Sequence, residues 1–257
     1  MPIPSRLMPA YLAHIGVHDF TVPDLANLRR LQHAHLFAIP FGDLDVHYGR
    51  PIVLDFEKVL HKIIVEKREG FCYELNGTLY QLLKHLGYEV RMISAGVYHK
   101  ETDDYGPEFN HLALIALIDG WEYLVDVGFG DLSRYPLEIG SEQVQEDGVN
   151  SFMIDTHEDG LRISKRWQGA WEHKYRFSLQ GHSYDAFSAQ CLNTQISPDS
   201  HFVKNKYITR PTNTGRITLF SDKLILTENG GKTERPLANG EFESLLVKYF
   251  GKRFLKA

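Results

Sequence analysis

Three short segments hold residue types that could carry out covalent acyl chemistry. Cys72 stands in REGFCYELNG (68–77), His111 opens HLALIALI, and Asp126 lies inside YLVDVGFGD. A cysteine thiolate can attack a carbonyl carbon, a histidine can take up and return the proton, and a carboxylate can hold the imidazole in the working orientation. Such a set makes and breaks a thioester.

Cysteine is among the most often buried residue types, so a lone Cys72 reads first as core filling. Its position points elsewhere. Gly70 allows a tight approach, and Leu75, Leu79, Leu82, Leu83 and Leu86 form a helical stripe that Gly87 ends. Cys72 therefore falls in or just before the first turn of a helix. There the unpaired N–H groups and the positive dipole end favour thiolate and can bind an oxyanion. A low-pKa thiolate would be alkylated quickly near pH 6, whereas a merely packed thiol in a binding protein would not.

The chain has 13 histidines, so the presence of one decides nothing. Register does. If Asp119-Gly120 is a two-residue hairpin turn, Ile118 pairs with Trp121, Ala113 with Asp126 and His111 with Gly128. His111 and Asp126 then share a face as diagonal neighbours, with Cα atoms roughly 7–8 Å apart. The apolar residues around Asp126 make a merely solvated carboxylate unsuitable there, and a buried one needs a partner. The same register does not bring Cys72 to His111.

The elements that must hold these residues change type along the chain. The first third is helical: Thr21 and Asp24 resemble a capping box ahead of Leu25, Leu28 and Leu31, and Asp55 caps a stripe of Phe56, Val59, Leu60, Ile63 and Ile64. From Tyr88 the pattern becomes strands: YEVRMISAGVY, HLALIALI, WEYLVDVGFG, FMIDT, HKYRFSL, GRITLF and KLILT. ENGG marks a hairpin turn, and a last helix runs from about Glu241. Helices segregated from antiparallel strands mean an α+β fold.

The 257 residues are 43% hydrophobic and 24% charged with a formal charge of -5, which gives no sign of a nucleic-acid partner. Two cysteines in so long a chain suit a reducing compartment, and Cys191, with no activating group nearby, reads as structural. The opening MPIPSRLMPAYLAHIG lacks a signal-peptide pattern and LALIALI is too short to span a bilayer, so a soluble, cytoplasmic protein is expected. No metal is expected: His33 and His35, like His14 and His18, read as solvated, as does the Asp103-Asp104 loop.

REGFCYELNG, FNHLALIAL and YLVDVGFGD, in this order and spacing, resemble the three signature segments of the arylamine N-acetyltransferases, and IPFGDLDV and SPDSHFVKNKYITRPTNTGRITL extend the likeness over nearly the whole chain. The resemblance implies a helical bundle (1–87) bearing the nucleophile and a central antiparallel β-barrel (88–195) bearing the histidine and aspartate. A C-terminal α/β lid (196–257) follows, the whole on the thiol fold shared with papain-like proteases and transglutaminases. It makes Cys72 the acetyl acceptor, His111 its base and Asp126 the orienting group. It places Gly128, Phe129 and Gly130 beside the acyl and pantetheine channel, and Phe41, Val97 and Phe129 at the amine pocket. Acetyl-CoA is the implied cosubstrate, an arylamine, arylhydroxylamine or hydrazine the acceptor, and the protein a monomer or homodimer.

Two departures stand out. The family usually has Arg-Gly-Gly before FCYELN, where this chain has Glu69 in place of the first glycine, with Arg68 as its expected partner; a carboxylate near the thiol would disfavour thiolate. The family usually has Glu-Asn where this chain has Gly42-Asp43. A thiol hydrolase or transglutaminase-like enzyme would need the same three residues and is the rival reading.

Overall fold

The computed structural model describes residues 7–256. Helices Leu7–His14, Leu25–Ala38, Phe56–Leu60 and Cys72–His85 fill the first third. Helix Leu25–Ala38 is capped by Asp24, whose side chain accepts the Asn27 N–H at 2.8 Å. The expected Thr21 cap is thus corrected: the helix begins after Asp24, and Asp24 takes the capping role itself. Asp55 caps as expected, accepting the Lys58 N–H at 3.0 Å, but its helix passes into a π-helical turn at His61–Val65. Val59, Leu60, Ile63 and Ile64 remain buried through that change.

The expected strands from YEVRMISAGVY to HKYRFSL form one large antiparallel sheet. Its order is Leu137–Glu138, Trp121–Val125, His111–Ile118, Glu89–His99, Ala170–His182, Gly160–Trp167, Ser151–His157 and Gln145–Glu146. The Gln145 side chain joins the two ends: its Oε1 accepts the Glu138 N–H at 2.8 Å and its Nε2 donates to the Glu138 carbonyl at 2.9 Å. One amide thereby nearly closes a barrel, whose interior is packed by Ile93, Ile115, Leu124, Phe152, Ile163 and Phe177.

A second, five-stranded sheet runs Phe41–Gly42, Tyr207–Thr212, Gly215–Phe220, Lys223–Glu228 and Gly231–Pro236, every neighbour antiparallel. Asn229 and Gly230, both with positive φ, make the turn that ENGG announces. The final helix, Glu241–Tyr249, buries Phe242, Leu245 and Leu246 against Ile208, Leu219 and Leu224 of that sheet. Several strands were not legible in the sequence, among them two of the longer ones. Gly160–Trp167 alternates with charged side chains, and Tyr207–Thr212 carries Pro211. Helix Ser188–Ile196, which holds Cys191, was also unannounced.

The short strand Phe41–Gly42 matters beyond its length. It pairs antiparallel with Thr209 and Ile208 of the second sheet and forms a parallel bridge to Gly70. Gly42 N–H donates to the Gly70 carbonyl at 2.9 Å. One segment thus ties the approach to Cys72 to the C-terminal sheet.

Candidate active site

Cys72 is the first residue of helix Cys72–His85, and the turn before it is held from both sides. Glu74 accepts the Phe71 N–H at 3.3 Å and binds Lys62 at 2.7 Å; Lys62 reaches Asp45 at 2.8 Å, and Asp45 also pairs with Arg68. Gly70 is needed for space rather than for a left-handed backbone: a Cβ there would meet Glu74 Cβ and Ile63 Cδ1, each at 3.0 Å. This corrects the tight-turn reading.

The hairpin register is the expected one. Ile118 pairs with Trp121 and Leu114 with Val125, and the turn residues Asp119 and Gly120 have φ of 52° and 84°. His111 Nε2 lies 2.7 Å from Asp126 Oδ2. Asp126 also accepts the Tyr175 hydroxyl on Oδ2 at 3.0 Å, and the Asn76 amide and the Gly128 N–H on Oδ1, both at 2.8 Å. These four donors fill the carboxylate's lone-pair sites, so neither Asp126 nor the His111 ring can swing away without breaking several bonds. Burial acting alone would raise the Asp126 carboxyl, but His111, Asn76 and the Gly128 N–H outweigh it and hold the group below the usual carboxylate range.

Asn76 and Tyr175 are parts of the site that sequence reasoning missed. Asn76, four residues after Cys72 on the same helical face, donates to the Leu112 carbonyl at 2.6 Å and accepts the Val127 N–H at 2.9 Å. It therefore bridges the nucleophile's helix to both strands of the hairpin. The i, i+4 spacing within FCYELN was a signal available for Asn76; Tyr175 lies 49 positions from Asp126 and gave none. Tyr73 completes the docking by donating its hydroxyl to the Phe109 carbonyl at 2.7 Å, and Phe109 has a positive φ of 62° just ahead of His111.

Cys72 and His111 open onto one cavity of about 510 Å³, with Gly128 and Phe129 in its wall. Phe41 and Val97 line it as well, joined by Phe202 and Tyr207. Gly128 packs directly on the nucleophile's backbone, where a Cβ would come within 2.7 Å of Cys72 Cα. Phe129 stands edge-on to His111, ring centres 5.4 Å apart. Gly130, with φ of +88°, lies outside the lining and faces Phe41 and Thr209.

Cys72 is 3% exposed, and burial pushes its thiol up; the Leu112 and Tyr73 N–H groups act in the opposite direction without reversing the shift. Burial thus opposes the pull of the helix start, and charge at this sulfur requires a nearby cation. Cys191 is buried too, its thiol raised to about 12 by burial and held by Gln195, consistent with a packing role. His35 is wholly buried and bonded to the Tyr11 hydroxyl, so the reading of His33 and His35 as solvated is corrected for His35.

The two departures from the family pattern meet in space. A Cβ on Gly42 would come within 2.9 Å of Glu69 Cγ, so the Glu69 side chain occupies the room that a residue-42 side chain would need. Arg68 forms the expected ion pair with Glu69, at 4.0 Å, but lies closer to Asp45, so it is shared between the two carboxylates. Glu69 and Asp43 are each 1% exposed, and each has one carboxylate oxygen with no hydrogen-bond partner, only a distant cation at 4.0 Å, Arg68 and His47 respectively. Burial foremost, with the Glu69 charge adding, pushes the Asp43 carboxyl up to about 8, against the pull of the Tyr207 N–H bonded to its Oδ1.

Residues 24–254 match the sequence pattern of the family described as N-acetyltransferase. The chain is 32% identical to the pineal gland arylamine N-acetyltransferase isozyme NAT-3 of Gallus gallus, over 93% of this chain and 92% of that protein. It is 30% identical to the arylamine N-acetyltransferase of Mycolicibacterium smegmatis, over 86% of this chain and 82% of that protein. Its fold superposes on the Mycobacterium marinum arylamine N-acetyltransferase in complex with CoA with a TM-score of 0.87 at 29% identity, covering 96% and 92% of the two chains. With that pattern spanning nearly its whole length, and a buried Cys72 sharing a cavity with a carboxylate-held histidine, this chain belongs to the arylamine N-acetyltransferase family.

Proposed function

We propose that the protein transfers acetyl from acetyl-CoA to an arylamine, arylhydroxylamine or hydrazine through a thioester on Cys72. The observation that carries this reading is the His111–Asp126 bond of 2.7 Å at the wall of the cavity onto which Cys72 opens. With Nε2 committed to Asp126, Nδ1 is the ring nitrogen left to receive the Cys72 proton. The resulting imidazolium offsets the burial that disfavours a lone thiolate, and Asp126 in turn stabilises the imidazolium.

In the first half-reaction the Cys72 sulfur attacks the acetyl carbonyl, the C–S bond to CoA breaks, and the proton held on His111 passes to the departing CoA thiolate. The N–H groups at the helix start stabilise the tetrahedral oxyanion. In the second, a neutral amine attacks the acetyl carbon, His111 takes its proton, and Cys72 leaves as thiolate to be reprotonated.

Phe41, Val97, Phe129, Phe202 and Tyr207 give the cavity an apolar wall. That wall suits an uncharged aromatic amine and disfavours an alkylammonium ion, whose charge would lose its hydration against apolar side chains. Initial rates with both substrates varied test the proposal. Parallel double-reciprocal lines are expected, with aliphatic amines poor acceptors; intersecting lines, or hydrolysis of acetyl-CoA unaffected by any amine, would overturn it.

A further inference from the structure

The aromatic wall of the Cys72 cavity is fastened from behind by a carboxylate that takes no part in the chemistry. Phe41, Phe202 and Tyr207 pack together in that wall, with ring centres 5.7, 6.2 and 6.3 Å apart. Asp43 follows Phe41 by two residues and grips the Tyr207 backbone twice. Its N–H donates to the Tyr207 carbonyl at 3.2 Å, and its Oδ1 accepts the Tyr207 N–H at 2.8 Å. Asp43 stands at the N-cap of helix Leu44–Tyr48 yet makes no side-chain capping bond, so its carboxylate serves the neighbouring strand rather than its own helix.

The second oxygen sits where a negative charge is poorly served. Asp43 Oδ2 accepts no hydrogen bond among the described residues, and His47 Nε2, at 4.0 Å, is too far away to donate one. Glu69 reaches the same place from the approach to Cys72: it lies against Gly42, and its Oε1 also lacks a hydrogen bond, with Arg68 4.0 Å away. Lys206 faces Asp43 from the start of the next strand, but its Nζ rests 3.8 Å from the centre of the Phe242 ring. The Tyr207 phenol faces Asp43 as well and brings no positive charge. Two carboxylates thus flank Gly42, one residue from the point where Phe41 bridges to Gly70. When both are ionised, like charges share a place closed to bulk water. Relief requires Asp43 to move towards solvent, which gives up the Tyr207 N–H and loosens Phe41–Gly42 from strand Tyr207–Thr212.

We infer that Asp43 is a positioning residue for the acceptor side of the cavity: neutral, it seats Phe41 and Tyr207 in the wall, and ionised, it releases them. The assignment rests on the acetyl-transfer reading and adds to it a dependence on pH that belongs to neither Cys72 nor His111. Burial and the Glu69 charge push the Asp43 carboxyl up to about 8, so the release falls within the range of an ordinary assay.

The test measures KM for aniline, an acceptor uncharged throughout the range used, in wild type, Asp43→Asn and Asp43→Ala. In wild type KM should rise about three- to tenfold from about pH 7 to about pH 9, the worth of one hydrogen bond given up behind the wall. Asp43→Asn keeps an acceptor for the Tyr207 N–H and cannot ionise, so its KM should stay flat and low. Asp43→Ala lacks the acceptor at every pH, so its KM should stay flat and high, near the alkaline wild-type value. Taking each wild-type KM as a ratio to that of Asp43→Asn at the same pH cancels the titration of the thiol and imidazole, and a merely structural role for Asp43 would leave that ratio constant. A constant ratio overturns the assignment, as does a rise that Asp43→Asn retains. Acetylation of Cys72 by acetyl-CoA without amine is followed on the same samples by mass spectrometry. Absence of the thioester in wild type would defeat the acetyl-transfer reading, whereas a thioester together with a constant ratio would defeat the Asp43 assignment alone.

Discussion

If Glu69 fills the space denied to a side chain at residue 42, exchanging the two should be far better tolerated than changing either one. Gly42→Glu alone places a Cβ 2.9 Å from Glu69 Cγ. Overpacking of that kind costs about 1–3 kcal/mol. It also adds a third carboxylate beside Asp43 and Glu69, both buried with an oxygen that accepts no hydrogen bond, so the single change should cost roughly 3 kcal/mol or more. Glu69→Gly alone opens a cavity but removes one of those oxygens, and the two effects should leave a loss of about 1 kcal/mol. In the double variant a carboxylate returns from the opposite strand into the vacated room, and stability should fall within about 1 kcal/mol of wild type. The expected coupling is therefore about 3–4 kcal/mol, read from urea unfolding at pH 7 with all four proteins in one double-mutant cycle. Effects that add to within about 0.5 kcal/mol would refute the idea that these two departures compensate each other.

The other expectations concern protons and the hydrogen-bonded frame. Asp43, raised to about 8, lies above its unfolded value near 3.9, so its contribution is fully present below that lower value and is lost as pH rises towards 8. Asp43→Asn keeps an acceptor for the Tyr207 N–H and should gain on wild type by about 1 kcal/mol per pH unit between pH 5 and 8; a difference that stays flat with pH contradicts the raised carboxyl. Asp126 has the opposite sign: its depressed carboxyl stabilises the fold above the unfolded value and loses that contribution as pH falls through the folded one. Asp126→Asn should abolish that acid dependence and lower kcat by about a hundred- to ten-thousandfold, and a variant with near-normal kcat would remove Asp126 from the mechanism. Asn76→Ala should slow acetylation and destabilise the fold by about 2–3 kcal/mol, since it strands the Val127 N–H and one side of Asp126 in a buried site; loss below 1 kcal/mol would show that the bridge is dispensable.

The parts of the site legible in the sequence are those fixed by local geometry. A two-residue turn at Asp119-Gly120 dictates register, and register alone sets His111 beside Asp126. The leucine stripe fixes where the helix of Cys72 begins, because a buried apolar face must keep its 3.6-residue period. Contacts between distant segments were not legible. Tyr175 reaches Asp126 through the barrel's curvature, and Glu69 turns towards Gly42 only because the segments at 40–43 and 68–70 lie side by side.

The central claim, a thioester on Cys72, is tested most directly by incubating the protein with acetyl-CoA without acceptor and mapping adducts by peptide mass spectrometry. The account predicts one acetyl group on the Cys72 peptide, absent from Cys72→Ala and discharged when an arylamine is added. Acetylation of Cys191 instead, or release of free CoA with no adduct on Cys72 under conditions that trap thioesters, would contradict it.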